Sequence, residues 1–283
     1  MKTILIPTDF SDNAWHAIAY AMNFFKDEPC TFYLLHTYSP AFYRMDYVFG
    51  GPSFSAIPDV GVDISLMGLE KTLEDIKKVY DNPRHQFELV SSFNTLTDEV
   101  EDLVGSRGID LVVMGTKGAS GAKELFLGSN TVFVIRKGKA PVMAIPEQVK
   151  YHPVRNILFP SDYLNRYKPE DLLPILKIAR MHQARFTLLH VNEEGGLTLE
   201  QKDNKAHLER HLEELEYETV ELEGQLMPDA VLAYIEEHPV DLLVMMNRRH
   251  SFFERLLLRQ NVDQIGFHVR IPFLVVPDTS TTR

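Results

Sequence analysis

The chain holds 283 residues, more than the commonest single domain, and that length favours about two domains. With 45% hydrophobic and 24% charged residues it can bury a core, while a net charge of −11 shared by both halves argues against nucleic acid as the main partner. The single cysteine, Cys30, excludes an intramolecular disulfide and a cysteine-based zinc cluster, and no apolar run approaches the ~18 residues that span a bilayer, so a cytoplasmic protein without membrane contact is expected.

Residues 3–8 (TILIPT) form a short apolar run broken by Pro7 and Asp9, which suits a buried parallel strand. Ser11 is placed to cap a helix in which Ala14, Ile18, Ala21, Met22 and Phe25 fall at helical spacing. Residues 31–37 (TFYLLHT) are the next strand. From Ser39 to Val62 the periodicity fails in an insert rich in glycine, proline and aromatic residues, whose apolar surface suits a lid, a dimer contact or a loop packed on its own domain. Helical spacing resumes through Ile64, Leu66, Leu69, Leu73, Ile76 and Tyr80, followed by a strand at 86–91 and a helix near 96–106. Leu111 to Pro146 then reads as strand, glycine-bearing loop, helix start and strand.

Strands alternating with helices imply βαβ units and a parallel sheet that takes ligands at the carboxyl ends of its strands. Asp9, Thr37 and Gly115 each lie at such an end, so one crevice gathers all three. The same order then recurs. Lys2–Asp9 (KTILIPTD) aligns with Arg155–Asp162 (RNILFPSD), Thr31–His36 with Arg185–His190, and Asp110–Pro146 with Asp241–Pro277 without a gap. The expected fold is therefore α/β, with two tandem domains at 1–149 and 150–283, each a five-stranded parallel sheet flanked by helices in a Rossmann-like manner. The closing strands Val142–Ile145 and Phe273–Val276 leave sheet edges suited to pairing, with each other as an intramolecular pseudo-dimer or with a second chain as a homodimer.

Within Leu111–Pro146 the spacing G-x2-G-x9-G-S joins Gly115, Gly118, Gly128 and Ser129. Glycine lets a backbone approach a ligand closely, and the first N–H groups of a helix are unpaired donors with a favourable dipole, which suits phosphate. Any one of these glycines alone is explained by a tight turn, and Asp9 alone by a helix-capping acid. Neither the GxxxxGK[ST] loop nor a GxGxxG fingerprint after the first strand is present. Together ILIPTDFS, the LLH strand end, the glycine spacing and Pro141-Val142 resemble the universal stress protein family, here as a tandem chain of two repeats. That resemblance implies a fold like that of the adenine nucleotide alpha hydrolases and a site for ATP, ADP or AMP, with magnesium, in the first half. It sets Asp9 on the ribose and base side, the Thr37 backbone at the adenine, and Gly115, Gly118, Gly128, Ser129 and Asn130 around the phosphates. Family members often carry valine where Thr37 stands, and Lys117 would add charge near the phosphates.

The ungapped alignment puts Met246, Arg249, Arg259 and Gln260 where the first half has Gly115, Gly118, Gly128 and Ser129, so the second half is expected to lack the backbone cradle. Its loop over 246–260 carries Arg248, Arg249, Arg255 and Arg259, suited either to an anion or, preferably, to a solvated or salt-bridged face. His207 and His211, four apart on a helix near 198–215, have a metal-binding spacing, but a solvated face is the better reading without a third ligand. His36 and His190 end matching strands as frame residues. No nucleophile–base–orienter pattern stands out, so nucleotide-dependent regulation of a stress response is expected rather than turnover, with a nucleotide-independent scaffold and a slow nucleotide hydrolase as the alternatives.

Overall fold

The computed structural model describes residues 1–38, 60–116, 128–147, 149–193, 195–248, 252–255 and 270–278. Its first half runs β1 (Lys2–Pro7), α1 (Asp12–Phe24), β2 (Cys30–Thr37), α2 (Val60–Val79), β3 (His85–Ser92), α3 (Leu96–Arg107), β4 (Leu111–Gly115), α4 (Ser129–Lys137) and β5 (Val142–Ile145). The second half repeats the order as β6 (Asn156–Pro160), α5 (Pro169–His182), β7 (Arg185–Asn192), α6 (Leu199–Leu212), β8 (Tyr217–Glu223), α7 (Met227–Glu237), β9 (Leu242–Asn247) and β10 (Phe273–Pro277). Because α2 starts at Val60, the last residues of the aromatic insert are helical; the rest of the insert lies outside the described residues.

Local chemistry sets the helix ends. Ser11 accepts a hydrogen bond from the Ala14 N–H at 3.2 Å, as expected of an N-cap, and Thr95 does the same for Asp98 at the start of α3. Gly108 ends α3 in the left-handed region, at φ 61°, where a side chain is disfavoured. Thr198 and Gln201 form a reciprocal capping box at the start of α6.

All ten strands join one sheet in the order β3-β2-β1-β4-β5-β10-β9-β6-β7-β8. Within each half the pairing is parallel, so each half is a five-stranded parallel sheet. The two closing strands meet antiparallel, with Phe273 opposite Ala144, Leu274 opposite Met143 and Val275 opposite Val142. This pairing covers the β5 and β10 edges that two separate halves would expose, leaving β3 and β8 as the outer strands of the sheet. It also turns the halves head to tail, so the carboxyl ends of their strands emerge on opposite edges of the sheet.

Period-two alternation divides the apolar residues between two cores. Ile4 and Ile6 pack with Ile18, Phe25 and Leu69, and the same face continues through Phe159, Leu172 and Leu208. Leu5 and Val112 face the other way with Val100 and Val134, and that face continues through Val231 and Phe273. Both cores cross the seam: Met143 and Leu274 lie on one face, Ala144 and Phe273 on the other, all essentially without solvent contact. Full burial of a large aliphatic or aromatic side chain stabilises by about 1.5–3 kcal/mol, so these shared layers bind the halves firmly.

Candidate functional site

In the first half β1 has β2 on one side and β4 on the other. The strand order therefore reverses at β1, and a crevice opens beyond the carboxyl ends of β1 and β4. The strand ends are held in register there by Thr8 N–H on the Leu35 carbonyl (2.8 Å) and Thr116 N–H on the Ile145 carbonyl (3.1 Å). Asp9 follows β1 and is exposed; its Oδ1 accepts from the Ser11 N–H at 3.1 Å and the Ser11 hydroxyl at 2.5 Å. The carboxylate thus shapes the turn into α1 while keeping a face to solvent.

Phe10 takes a left-handed conformation, φ 62°, that lays its ring on His36 with centroids 4.5 Å apart. Gly68 on α2 makes room for that ring, since an added Cβ would lie 2.4 Å from Phe10 Cζ. His36 Nδ1 is 2.9 Å from the hydroxyl of fully buried Ser65, which accepts from Ser91 Oγ at 2.7 Å. Burial holds the His36 pKa below its ordinary value, against the opposing pull of Asp9, so the ring is a neutral packing partner at pH 7.

Gly115 ends β4 directly beneath the Asn13 side chain. A Cβ at Gly115 would stand 2.2 Å from Asn13 Nδ2, and Asn13 is itself buried. The glycine is therefore required by the packing of α1 on β4, whatever else it does. Sequence reasoning missed Asn13; its only signal is an amide in the first turn of α1, next to the buried Ala14. Thr131 Oγ1 donates to the Gly115 carbonyl at 2.8 Å and Gly128 N–H to the Thr116 carbonyl at 2.6 Å, tying the first turn of α4 to the end of β4. Gly128 is the N-cap and supplies no side-chain bond, while Ser129 and Asn130 are exposed. A helix start of this kind presents N–H donors and the positive end of the helix dipole. Asp9, Gly115, Gly128, Ser129 and Asn130 thus share one sheet edge, and Thr37 ends the neighbouring β2 on the same edge. Lys117 and Gly118 lie outside the described residues.

The second half fills the corresponding space with side chains. Tyr163, at Phe10's place and with φ 55°, is fully buried and stacks on His190 at 4.8 Å. Met246 stands buried in Gly115's place. Tyr167 is buried, lies 2.9 Å from Ser161 through its hydroxyl and carries the Arg248 guanidinium 4.2 Å above its ring; burial raises its pKa. Three residues of α6 then hold the loop after β6: Gln201 Nε2 on the Asp162 carbonyl (3.0 Å), Asn204 Nδ2 on that of Tyr163 (2.9 Å) and His207 Nε2 on that of Tyr167 (3.1 Å). His207 is thus half-buried and hydrogen-bonded rather than solvated, because the 163–167 loop packs under α6. Its ring meets His211 edge-on, and no group of three metal-ligating side chains occurs among the described residues. Arg255 pairs with Glu193 at 2.8 and 2.9 Å, the salt-bridged alternative for that residue; Arg249 and Arg259 lie outside the described residues. Glu193 also accepts from the Met227 N–H at 2.7 Å, capping α7.

The sequence profile of the universal stress protein family matches residues 1–146 and, a second time, 154–277. The chain belongs to the universal stress protein family. Among curated members, universal stress protein MJ0577 of Methanocaldococcus jannaschii is 26% identical over 156 residues, 51% of this chain and 94% of that protein. A Thermus aquaticus universal stress protein is 28% identical over 144 residues, 51% of this chain and 98% of its own. Among solved structures, a universal stress protein from Archaeoglobus fulgidus superposes with a TM-score of 0.68 at 19% identity, covering 98% of this chain and 96% of its own. A putative universal stress protein from Pseudomonas aeruginosa gives 0.60 at 11% identity, covering 98% and 94%. The fold of these universal stress proteins is thus shared along the chain, while among the described residues its two carboxyl edges differ: one exposes Asp9, Ser129 and Asn130, the other is filled by buried Tyr163, Tyr167 and Met246. Among the described residues no helix is long and apolar enough to cross a membrane.

Proposed function

We propose that the first repeat binds ATP, with magnesium, at the carboxyl edge between β1 and β4, and that nucleotide occupancy makes the chain a cytoplasmic regulator in a stress response. The observation that carries this reading is the start of α4: a helix N-terminus without a side-chain cap, tied to β4 and sharing an edge with the Asp9 carboxylate. The fit of a nucleotide follows from charge. Two like charges 4 Å apart repel by about 1 kcal/mol in water and about 4 kcal/mol near a protein surface, so phosphates avoid Asp9 and settle at α4. Asp9 is then left to accept hydrogen bonds from ribose hydroxyls, with the adenine toward the Thr37 backbone. Ser129, Asn130 and the N–H groups of their turn take phosphate oxygens, together with Gly118. Bound magnesium would neutralise phosphate charge.

The functional units are residues 1–149 and 150–283, and only the first takes nucleotide. Ser65, the hydroxyl beside His36, is fully buried, so this pair does not act as a nucleophile and base at the edge. Titration of the nucleotide-free chain with ATP tests the reading. One equivalent should bind, and Ser129→Asp should weaken it at least tenfold, since an acid in the first turn favours the helix but repels phosphate. Two equivalent sites would refute the assignment to one repeat, no binding would leave a nucleotide-independent scaffold, and steady ATP consumption well above background would make the protein a hydrolase.

A further inference from the structure

We propose that Asn247, a residue of the second repeat, is a positioning residue for the nucleotide site of the first. The proposal rests on the assignment of phosphate binding to the start of α4. Asn247 ends β9, and its Nδ2 donates to the Ile135 carbonyl in α4 at 2.7 Å, a bond between residues 112 positions apart. Antiparallel pairing of β5 with β10 makes this contact possible, because it carries the carboxyl end of β9 to the side where α4 turns into β5.

α4 has nine residues, a length of about 13 Å, and a helix this short is marginal without outside contacts. At its start Thr131 Oγ1 holds the Gly115 carbonyl and Gly128 N–H holds the Thr116 carbonyl. At its other end Gly138 N–H takes the Val134 carbonyl and Asn247 the next one, that of Ile135. The ungapped repeat alignment makes Asn247 the counterpart of Thr116. One position of the repeat thus serves the same helix twice: from its own repeat at the N-terminus, and from the other repeat at the C-terminal turn. Asn247 is held as the last residue of β9, opposite Pro277 of β10, and the chain beyond it passes to Arg248, seated on Tyr167 in the second repeat's own crevice. That repeat acts as a brace, supplying part of the order that the phosphate-binding turn needs before a ligand arrives.

Hydrogen exchange and ATP titration on the full chain test this. A backbone-accepting hydrogen bond is worth about 1 kcal/mol, or roughly fivefold. In nucleotide-free protein, Asn247→Thr, which gives this position the first repeat's residue type, should speed exchange of the α4 amides about three- to tenfold and weaken ATP by a similar factor at unchanged stoichiometry. Asn247→Asp should do more, since it sets a carboxylate against a carbonyl and the negative end of the helix. Exchange in β1 and β6 should stay as in the unaltered chain, which separates bracing from general unfolding. Unchanged α4 exchange in both variants, a rise of equal size in β1 and β6, or faster α4 exchange with unaltered ATP affinity would each overturn the proposal. Absence of ATP binding to the unaltered chain would instead overturn the nucleotide assignment, with the exchange of α4 still reporting whether Asn247 braces the helix.

Discussion

Replacing Gly115 by alanine separates a glycine kept for packing from one kept for a ligand. The added Cβ would lie 2.2 Å from Asn13 Nδ2 and 2.7 Å from its Cγ, against about 3.5–4.0 Å for a normal carbon contact. Asn13 is 8% exposed and sits on the buried face of α1 beside Ala14 and Ala17, so it has little room to retreat. Overpacking of this kind costs about 1–3 kcal/mol, and Gly115→Ala should lower stability by that amount with no nucleotide present. Gly115 does not have a positive φ, so alanine meets no backbone strain there. In an Asn13→Ala background the clash is gone, and alanine for glycine in a strand should then be neutral or stabilising by up to about 1 kcal/mol. Urea unfolding followed through Trp15, the single tryptophan and a residue of α1, measures all four corners of the cycle, provided the slopes agree. A penalty of equal size in both backgrounds, or none in either, would refute the packing account.

Two further outcomes follow from the seam between the repeats. His182 packs its ring 4.3 Å from Phe24, and its Nε2 is buried without a hydrogen-bond partner among the described residues. Burial, assisted by Lys2 and Lys26 and opposed by Glu28 and Asp27, pushes its pKa down to about 4. A depressed histidine pKa means the unfolded chain takes the proton first, so stability is full above about pH 6.5 and falls as the pH drops toward 4. Discounted for solvent screening, the loss is about 1–2 kcal/mol. His182→Leu should flatten that part of a urea-midpoint profile, and an unchanged profile would count against it. For the seam itself, the amides of β5 and β10 should be among the slowest to exchange in the chain; rapid exchange of both would mean the antiparallel pairing does not persist in solution.

What could be read from the residues alone was whatever depends on near neighbours or on repetition. The Ser11 cap lies three residues from its donor, the apolar runs carry their own period, and the recurrence of KTILIPTD as RNILFPSD announces a second copy of one frame. The glycine spacing likewise marked α4's start, because a helix N-terminus is a local event. The pairing of the closing strands was open between a partner within the chain and one outside it. Only assembly decided it, through Phe273 meeting Ala144, and with it the opposite facing of the two crevices.

Contacts between distant side chains had no linear signal. Nothing around Gly115 states that Asn13 will occupy the space where its Cβ would be, and Gly68 looks like a flaw in α2 until the Phe10 ring is laid on it. The loss of glycines from the second repeat was plain in the sequence. How Tyr163, Tyr167 and Arg248 fill that crevice, and how Asn247 reaches Ile135, depended on the packing of α6 and the turn of one repeat against the other. Local order is set by propensities that act over a few residues, whereas these interactions exist only once the fold has brought together residues far apart in the chain, up to 112 positions for Asn247 and Ile135.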